Sequence, residues 1–303
     1  MRILIHIANA EQWRDALAQR LPEATLFTSD DAPREVDYLV AWKPPTELLE
    51  RHAGVRGIVN LGAGVDALLN DPGLPAGVPI VKLRDAGMAE LIADYTLYGV
   101  LHFQRDFDRY LAQERSARWH EFEVVPKAEW PVGVLGLGAI GRKVAQRLAG
   151  AGFPVHGWSR SPKQLDGMTC HDGEAGLRAL LSQVTTLVTL LPDTRETRHI
   201  VNAETLALLP DGASLINPGR GTLIDEPALL EALGSRLRGA ILDAFPEEPL
   251  PKSSALWTHP RVRITPHMAG PTSMSEALDQ VAETLRAWQA GETVASVDRE
   301  AGY

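Results

Sequence analysis

Three glycines, at 136, 138 and 141, stand between an apolar run, Val132–Leu135, and a helical pattern from Arg142 to Ala149. In this setting the first glycine permits a tight turn, the second lets a pyrophosphate approach the backbone, and the third lets the helix pack on the strand. The amide groups of Gly138, Ala139, Ile140 and Gly141 then face the anion at the positive end of the helix. Glycines alone are common in strand-to-helix turns; the flanking strand and helix make this a dinucleotide fingerprint. The next strand pattern ends in Trp158-Ser159-Arg160-Ser161, with no acid before Asp166. A site for NAD usually places a carboxylate there for the ribose hydroxyls. Arg160 instead offers a charged fork to a 2′-phosphate and Ser159 and Ser161 offer further donors, so NADPH is expected over NADH.

Three more motifs follow in order: Asn217-Pro218-Gly219-Arg220-Gly221, Asp243-Ala-Phe-Pro-Glu247-Glu248-Pro249, and Thr265-Pro-His267-Met-Ala269. Each lies just past the carboxyl end of an expected strand, where open α/β sheets place their ligands. An arginine between two glycines has no packing role there. His267 taken alone fits equally a loop histidine that caps a backbone carbonyl, and Glu247-Glu248 fits an exposed acidic pair before proline. Arg84 reads as a solvated charge and His102 as a helix-face histidine. The remaining histidines, at 6, 52, 120, 156, 171, 199 and 259, lack metal-ligand spacing, so no metal is expected.

The elements that position these motifs alternate between strand and helix. Strands are expected at Ile3–Ala8, Tyr38–Ala41 and Ile58–Leu61, with helices at Glu11–Arg20 and Thr46–His52. A long apolar helix is expected from Met88 to Arg115. Strands then recur at Val132–Leu135, Val155–Trp158, Thr186–Leu191, Ser214–Asn217, Ala240–Ala244 and Val262–Thr265, as a doubly wound parallel sheet needs. An amphipathic helix carrying Ala277, Val281, Leu285 and Trp288 follows and is expected to return to the first domain. The expectation is an α/β protein of two doubly wound parallel-sheet domains: a dinucleotide-binding Rossmann domain at 99–275 and a discontinuous, flavodoxin-like substrate domain at 1–98 and 276–303, with a cleft between them.

Composition fits this reading. The 303 residues carry 30 basic and 39 acidic side chains, a net charge of −9, and no basic run of the kind that tracks nucleic acid. No apolar run reaches the roughly 20 residues of a membrane span. The opening Met1-Arg-Ile-Leu-Ile-His-Ile7 lacks the apolar core and cleavage site of a signal peptide, so a cytoplasmic location is expected. Cys170 is the only cysteine, which excludes an internal disulfide, and it reads as a strand-end residue. A helix as apolar as the one after Met88 is normally buried between domains or subunits, and a homodimer is expected.

The order and spacing of the three late motifs resemble the D-isomer-specific 2-hydroxyacid dehydrogenase family. Within it, Trp42-Lys-Pro-Pro45, Leu61-Gly-Ala-Gly-Val-Asp66, Gly87-Met-Ala-Glu90, the Trp158–Ser161 turn, Leu190-Leu191-Pro192 and the ending Val297–Tyr303 are similar to the glyoxylate/hydroxypyruvate reductase group. The resemblance implies NADPH-linked reduction of small 2-keto acids. It carries the catalytic arginine onto Arg220, the acid/base histidine onto His267 and its glutamate onto Glu248, chosen over Glu247 by register. It carries a nicotinamide contact onto Asp243, further cofactor contacts onto Leu191, Pro192, Pro218 and Ala269, and substrate contacts onto Ala63 and Gly64. Trp42 fits a pocket wall or plain packing. The residue types suit the chemistry: an arginine binds a carboxylate at two points, and a histidine protonates the carbonyl oxygen. A carboxylate on the other ring nitrogen favours the charged imidazole. Two other readings stay open at this stage, a dehydrogenase of a bulkier 2-hydroxy acid and a dinucleotide-sensing binding protein on the same fold.

Overall fold

Short β-branched runs form the strands of two parallel sheets in the computed structural model, which describes residues 1–32 and 34–303. The first unit, Met1–Gly87 with Thr272–Tyr303, contains β1 (Arg2–His6), α1 (Ala10–Arg20), β2 (Thr25–Thr28), β3 (Tyr38–Ala41), α2 (Thr46–Arg51), β4 (Gly57–Asn60), α3 (Asp66–Leu69) and β5 (Ile80–Lys82). The strand order is β2-β1-β3-β4-β5, all parallel. Central β3 and β4 are wholly buried, as strands covered on both faces must be. Expected strands correspond to β1, β3 and β4. The two not foreseen, β2 and β5, are the sheet's edges, four and three residues long and partly exposed, so they lack a continuous apolar signal.

The second unit, Met88–Pro271, contains α4 (Met88–Gln104), α5 (Phe107–Arg115), β6 (Val132–Leu135), α6 (Ala139–Gly150), β7 (Val155–Ser159), β8 (Thr169–Asp172), α7 (Gly173–Leu181), β9 (Thr186–Thr189), α8 (Ala203–Leu208), β10 (Ser214–Asn217), α9 (Glu226–Ser235), β11 (Gly239–Leu242) and β12 (Val262–Ile264). Its strand order is β12-β11-β10-β9-β6-β7-β8. All six expected strands are present. Edge strand β8 adds a seventh that Thr-Cys-His-Asp does not announce, and Cys170 lies inside it rather than at its end. The chain then returns to the first unit as α10 (Met274–Gln289), whose Trp288 stacks on Tyr38 at 5.4 Å.

Two expectations need correction. The helix from Met88 to Arg115 is two helices, because Asp106 turns left-handed (φ 59°) while its carboxylate is held by Arg238 at 2.6 Å. The units divide after Gly87 and Pro271, not after residues 98 and 275. All of α4 therefore lies in the second unit, where it packs along α6 and β10. Gly99 makes that packing possible, since a Cβ there would come within 2.7 Å of the Ile216 side chain.

Candidate active site

In the second sheet the chain leaves β6 toward β7 on one side, and β9 lies on the other, so the carboxyl ends of β6 and β9 form a topological switch point. The glycine loop occupies it. Gly136 has φ 103°, and a Cβ there would meet the Leu190 carbonyl oxygen at 2.6 Å. Gly141 is closer still, since its Cβ would fall 1.8 Å from the Gly136 carbonyl oxygen. Gly138 differs: nothing lies within 4 Å of its would-be Cβ, and Gly138 and Ala139 are exposed at the start of α6. A turn closed on its inner side and open at the helix N-terminus fits a dinucleotide pyrophosphate. Leu191 and Pro192 follow β9 beside this loop, with the Pro192 carbonyl accepting a hydrogen bond from Thr197.

The turn after β7 places Arg160 and Ser161 in solvent, while Ser159 is buried and its hydroxyl donates to the Ser161 carbonyl. Ser159 thus shapes the turn. Lys163 donates to the Leu137 carbonyl at 2.7 Å and ties this turn to the glycine loop. One acid escaped the sequence reading. Glu196, on the connection after β9, has its carboxyl held below the usual range by its own backbone amide and Thr194, with smaller contributions from Arg160 and Arg195.

The catalytic candidates gather at the carboxyl ends of β10, β11 and β12. Buried Asn217 ends β10, and its amide oxygen accepts from Gly219 N–H and the Thr189 hydroxyl while its amide nitrogen donates to the Arg220 carbonyl. That bracing fixes the turn from which Arg220 projects, half-buried, next to buried Pro218. Gly221 seats the turn against the next loop, because a Cβ there would lie 2.0 Å from the Phe245 carbonyl carbon and 2.3 Å from Pro246 N. In that loop, which includes a cis Glu248–Pro249 peptide, Glu248 Oε1 accepts the Phe245 N–H at 3.1 Å. Both Glu248 oxygens lie 2.9 Å from His267 Nδ1. A carboxylate can only accept, so Nδ1 carries the hydrogen and Nε2 is the nitrogen left to exchange a proton with a substrate. His267 and Glu248 are therefore brought together as expected, and Glu247 has no such contact.

Asp243, expected near the nicotinamide, is turned into the protein. It has 0% exposed surface, and its carboxylate accepts from Thr265 Oγ1 at 2.6 Å and from the Met268 and Ala269 amides at 2.9 Å each. Ala269, beside it, is also buried. Sequence reading missed Asn217, Thr265 and Tyr95, which bonds Thr265 at 2.7 Å. Asn217 alone had a signal, a polar residue ending an apolar strand before Pro-Gly.

In the first unit, Trp42 packs on Gly62, where a Cβ would fall 2.1 Å from the indole. Buried Asn60 donates to the carbonyls of Gly62 and Gly64 at 3.0 and 2.9 Å, turning these oxygens inward and leaving Ala63 and Gly64 partly exposed. Arg84 is exposed as expected, but His102 is buried, edge-on to Phe103, and burial pushes its pKa down.

Comparison with known proteins supplies relatives for this site. Residues 97–269 match the D-isomer specific 2-hydroxyacid dehydrogenase, NAD binding domain. The chain is 43% identical over 298 residues, 95% of each protein, to a glyoxylate/hydroxypyruvate reductase A of Serratia proteamaculans (strain 568). A crystal structure of a D-isomer specific 2-hydroxyacid dehydrogenase from Xanthobacter autotrophicus Py2, in complex with NADPH and MES, superposes with a TM-score of 0.93 at 39% identity, covering 99% of each chain. A Sinorhizobium meliloti NADPH-dependent glyoxylate/hydroxypyruvate reductase, in complex with NADP and sulfate, gives a TM-score of 0.93 at 32% identity, covering 100% of this chain and 99% of the other.

Proposed function

Since the chain belongs to the D-isomer-specific 2-hydroxyacid dehydrogenase family, we propose that it is an NADPH-dependent reductase converting glyoxylate to glycolate and hydroxypyruvate to glycerate. The observation that carries this is the His267 ring, held by both oxygens of Glu248 just past the end of β12, the strand next to β11, from which the Glu248 loop leaves. Gly136–Gly141 would hold the pyrophosphate, Arg160 and Ser161 the 2′-phosphate, and Leu191, Pro192, Pro218 and Ala269 the rest of the cofactor. When bound, NADPH supplies the hydride for the carbonyl carbon.

The chain's own residues do the remainder. Arg220 grips the carboxylate and polarises the adjacent carbonyl with a planar charge. His267 delivers a proton from Nε2 to the carbonyl oxygen as the hydride arrives. Glu248 fixes the ring's orientation by accepting from Nδ1, which leaves Nε2 facing the substrate side. The loop at Gly62–Gly64, with Ala63 and Gly64, is assigned to the substrate carboxylate, and Trp42, pressed on Gly62, to limiting substrate size.

A homodimer belongs to the same proposal. In the second unit Leu91, Tyr98, Phe107, Leu111, Trp119 and Val124 are exposed, Trp119 completely, and an apolar surface of this kind suits a second copy. Among the described residues no helix is long and apolar enough to cross a membrane. A cytoplasmic setting agrees with a single free thiol, Cys170.

The test is a substrate panel, glyoxylate, hydroxypyruvate and pyruvate, followed by absorbance with NADPH and with NADH. NADPH is expected to have the higher kcat/KM. Arg160→Ala is expected to cost NADPH about 1.5–3 kcal/mol, the value of a charged hydrogen bond, and NADH far less. Equal losses would remove Arg160 from the phosphate site, and no turnover on the panel would end the reductase reading. Sedimentation giving only monomer at micromolar concentration would end the dimer.

A further inference from the structure

His267 occupies a backbone conformation that a side chain other than glycine rarely adopts, with φ 51°. What holds it there is Asp243. The Asp243 carbonyl accepts the His267 N–H at 2.8 Å, Oδ1 accepts Met268 N–H and the Thr265 hydroxyl, and Oδ2 accepts Ala269 N–H. One fully buried aspartate therefore receives a hydrogen bond from Thr265, His267, Met268 and Ala269. With no exposed surface, Asp243 directs all of these hydrogen bonds into the loop that carries His267.

The network has one more link, from a distant helix. Tyr95 of α4 places its hydroxyl 2.7 Å from Thr265 Oγ1. The direction of each bond follows from counting hydrogens. The Asp243 carboxylate only accepts, and the Thr265 hydroxyl has one hydrogen, which it spends on Asp243. Tyr95 must then be the donor to Thr265. Burial pushes the Tyr95 phenol well above its ordinary pKa, which keeps it a donor across the working pH range. The order is Tyr95 to Thr265 to Asp243 to the amides of Met268 and Ala269, which directly follow His267.

We propose that Tyr95 is a positioning residue for proton transfer, acting through Thr265 and Asp243 to hold the His267 loop in its left-handed turn. This rests on the reductase reading above. It predicts a strict dependence: Tyr95 contributes only through the Thr265 hydroxyl.

The experiment is a double-mutant cycle of Tyr95→Phe and Thr265→Val with two readouts. One is kcat and KM with glyoxylate and NADPH; the other is hydrogen exchange of the Met268 and Ala269 amides in the cofactor-free protein. Tyr95→Phe is expected to lower kcat about two- to tenfold, the worth of one net hydrogen bond, with KM for NADPH unchanged. Thr265→Val, which strips a donor from a buried carboxylate, is expected to lower kcat more, on the order of 10²-fold if the ring moves by about 1 Å. Thr265→Ser should restore it. In the Thr265→Val background, Tyr95→Phe should have no further effect. Both single variants should speed exchange of the two amides, Thr265→Val the more. Equal kcat losses for Tyr95→Phe in both backgrounds, or unaltered exchange in Tyr95→Phe, would overturn the relay. If the parent fails to turn over glyoxylate, the reductase reading falls, and the exchange experiment, which needs neither substrate nor cofactor, still decides whether Tyr95 acts on the loop.

Discussion

Gly221→Ala tests whether the contact between the Arg220 turn and the Glu248 loop sets the active geometry. The added Cβ would lie 2.0 Å from Phe245 C, 2.3 Å from Phe245 Cα and 2.3 Å from Pro246 N, all backbone atoms. Ordinary contact begins at 3.4 Å, so the two loops must separate by roughly 1.4 Å. Arg220 immediately precedes this contact and Glu248 follows it by two residues beyond Pro246, so the displacement falls directly on the proposed carboxylate clamp and on the Glu248–His267 contact. A misplacement of about 1 Å is worth about 10²-fold in rate, which is the expected loss in kcat/KM for glyoxylate. Overpacking of a buried site costs about 1–3 kcal/mol, seen as a Tm lower by roughly 2–10 °C. NADPH binding, followed by fluorescence, should change little, because the glycine loop after β6 is a separate turn. Gly234→Ala is the control: it lies in α9 with nothing within 4 Å of the new Cβ, and alanine there should be neutral or stabilise by up to about 1 kcal/mol. If Gly221→Ala kept parental kcat/KM and Tm, close approach of these loops would not be what positions Arg220.

Arg220→Lys keeps the charge but not the two-point geometry, and kcat/KM for glyoxylate is expected to fall steeply; near-normal turnover would show that Arg220 is not the carboxylate clamp. His267→Asn is expected to lower kcat by about 10² to 10⁴ while NADPH still binds, checked by steady-state kinetics and a binding titration. Glu248→Gln puts an amide nitrogen where one of the two carboxylate oxygens faces His267 Nδ1, and kcat for glyoxylate is expected to fall about 10- to 100-fold, the worth of one charged hydrogen bond, with KM for NADPH unchanged. Parental kcat in Glu248→Gln would refute that pairing. His102 is kept neutral by burial, so its folded-state pKa lies below the unfolded value of about 6.5. As pH falls through that value the unfolded chain takes up a proton the folded chain refuses, and stability is lost toward acid pH until the folded pKa is reached. His102→Leu should flatten this part of the stability profile, measured by denaturant unfolding from pH 7 downward, and an unchanged slope would count against it.

Both parallel sheets and the candidate motifs at their strand ends are readable from the sequence because their causes lie within a few neighbouring residues. The fingerprint at Gly136–Gly141 needs only a strand before it and a helix after it, and the Ser159–Ser161 turn declares its preference by carrying an arginine where an acid would stand. Edge strands β2, β5 and β8 escape because a short strand with one neighbour and an exposed face need not be apolar. The break at Asp106 escapes because its cause, Arg238, is 132 residues away. Partner choice in the site has the same character. Glu248 and His267 are 19 residues apart and meet because β11 and β12 are neighbours in the sheet, and local sequence alone does not distinguish Glu248 from Glu247. Tyr95 and Thr265 are 170 residues apart, and Asp243 turns inward because the amides of Met268 and Ala269 close over it. Side-chain hydrogen bonds between elements depend on strand order and on burial, which determine where donors and acceptors must find each other once water is excluded. The residue types proposed for the chemistry are thus set locally, and their orientation is set by the packed fold.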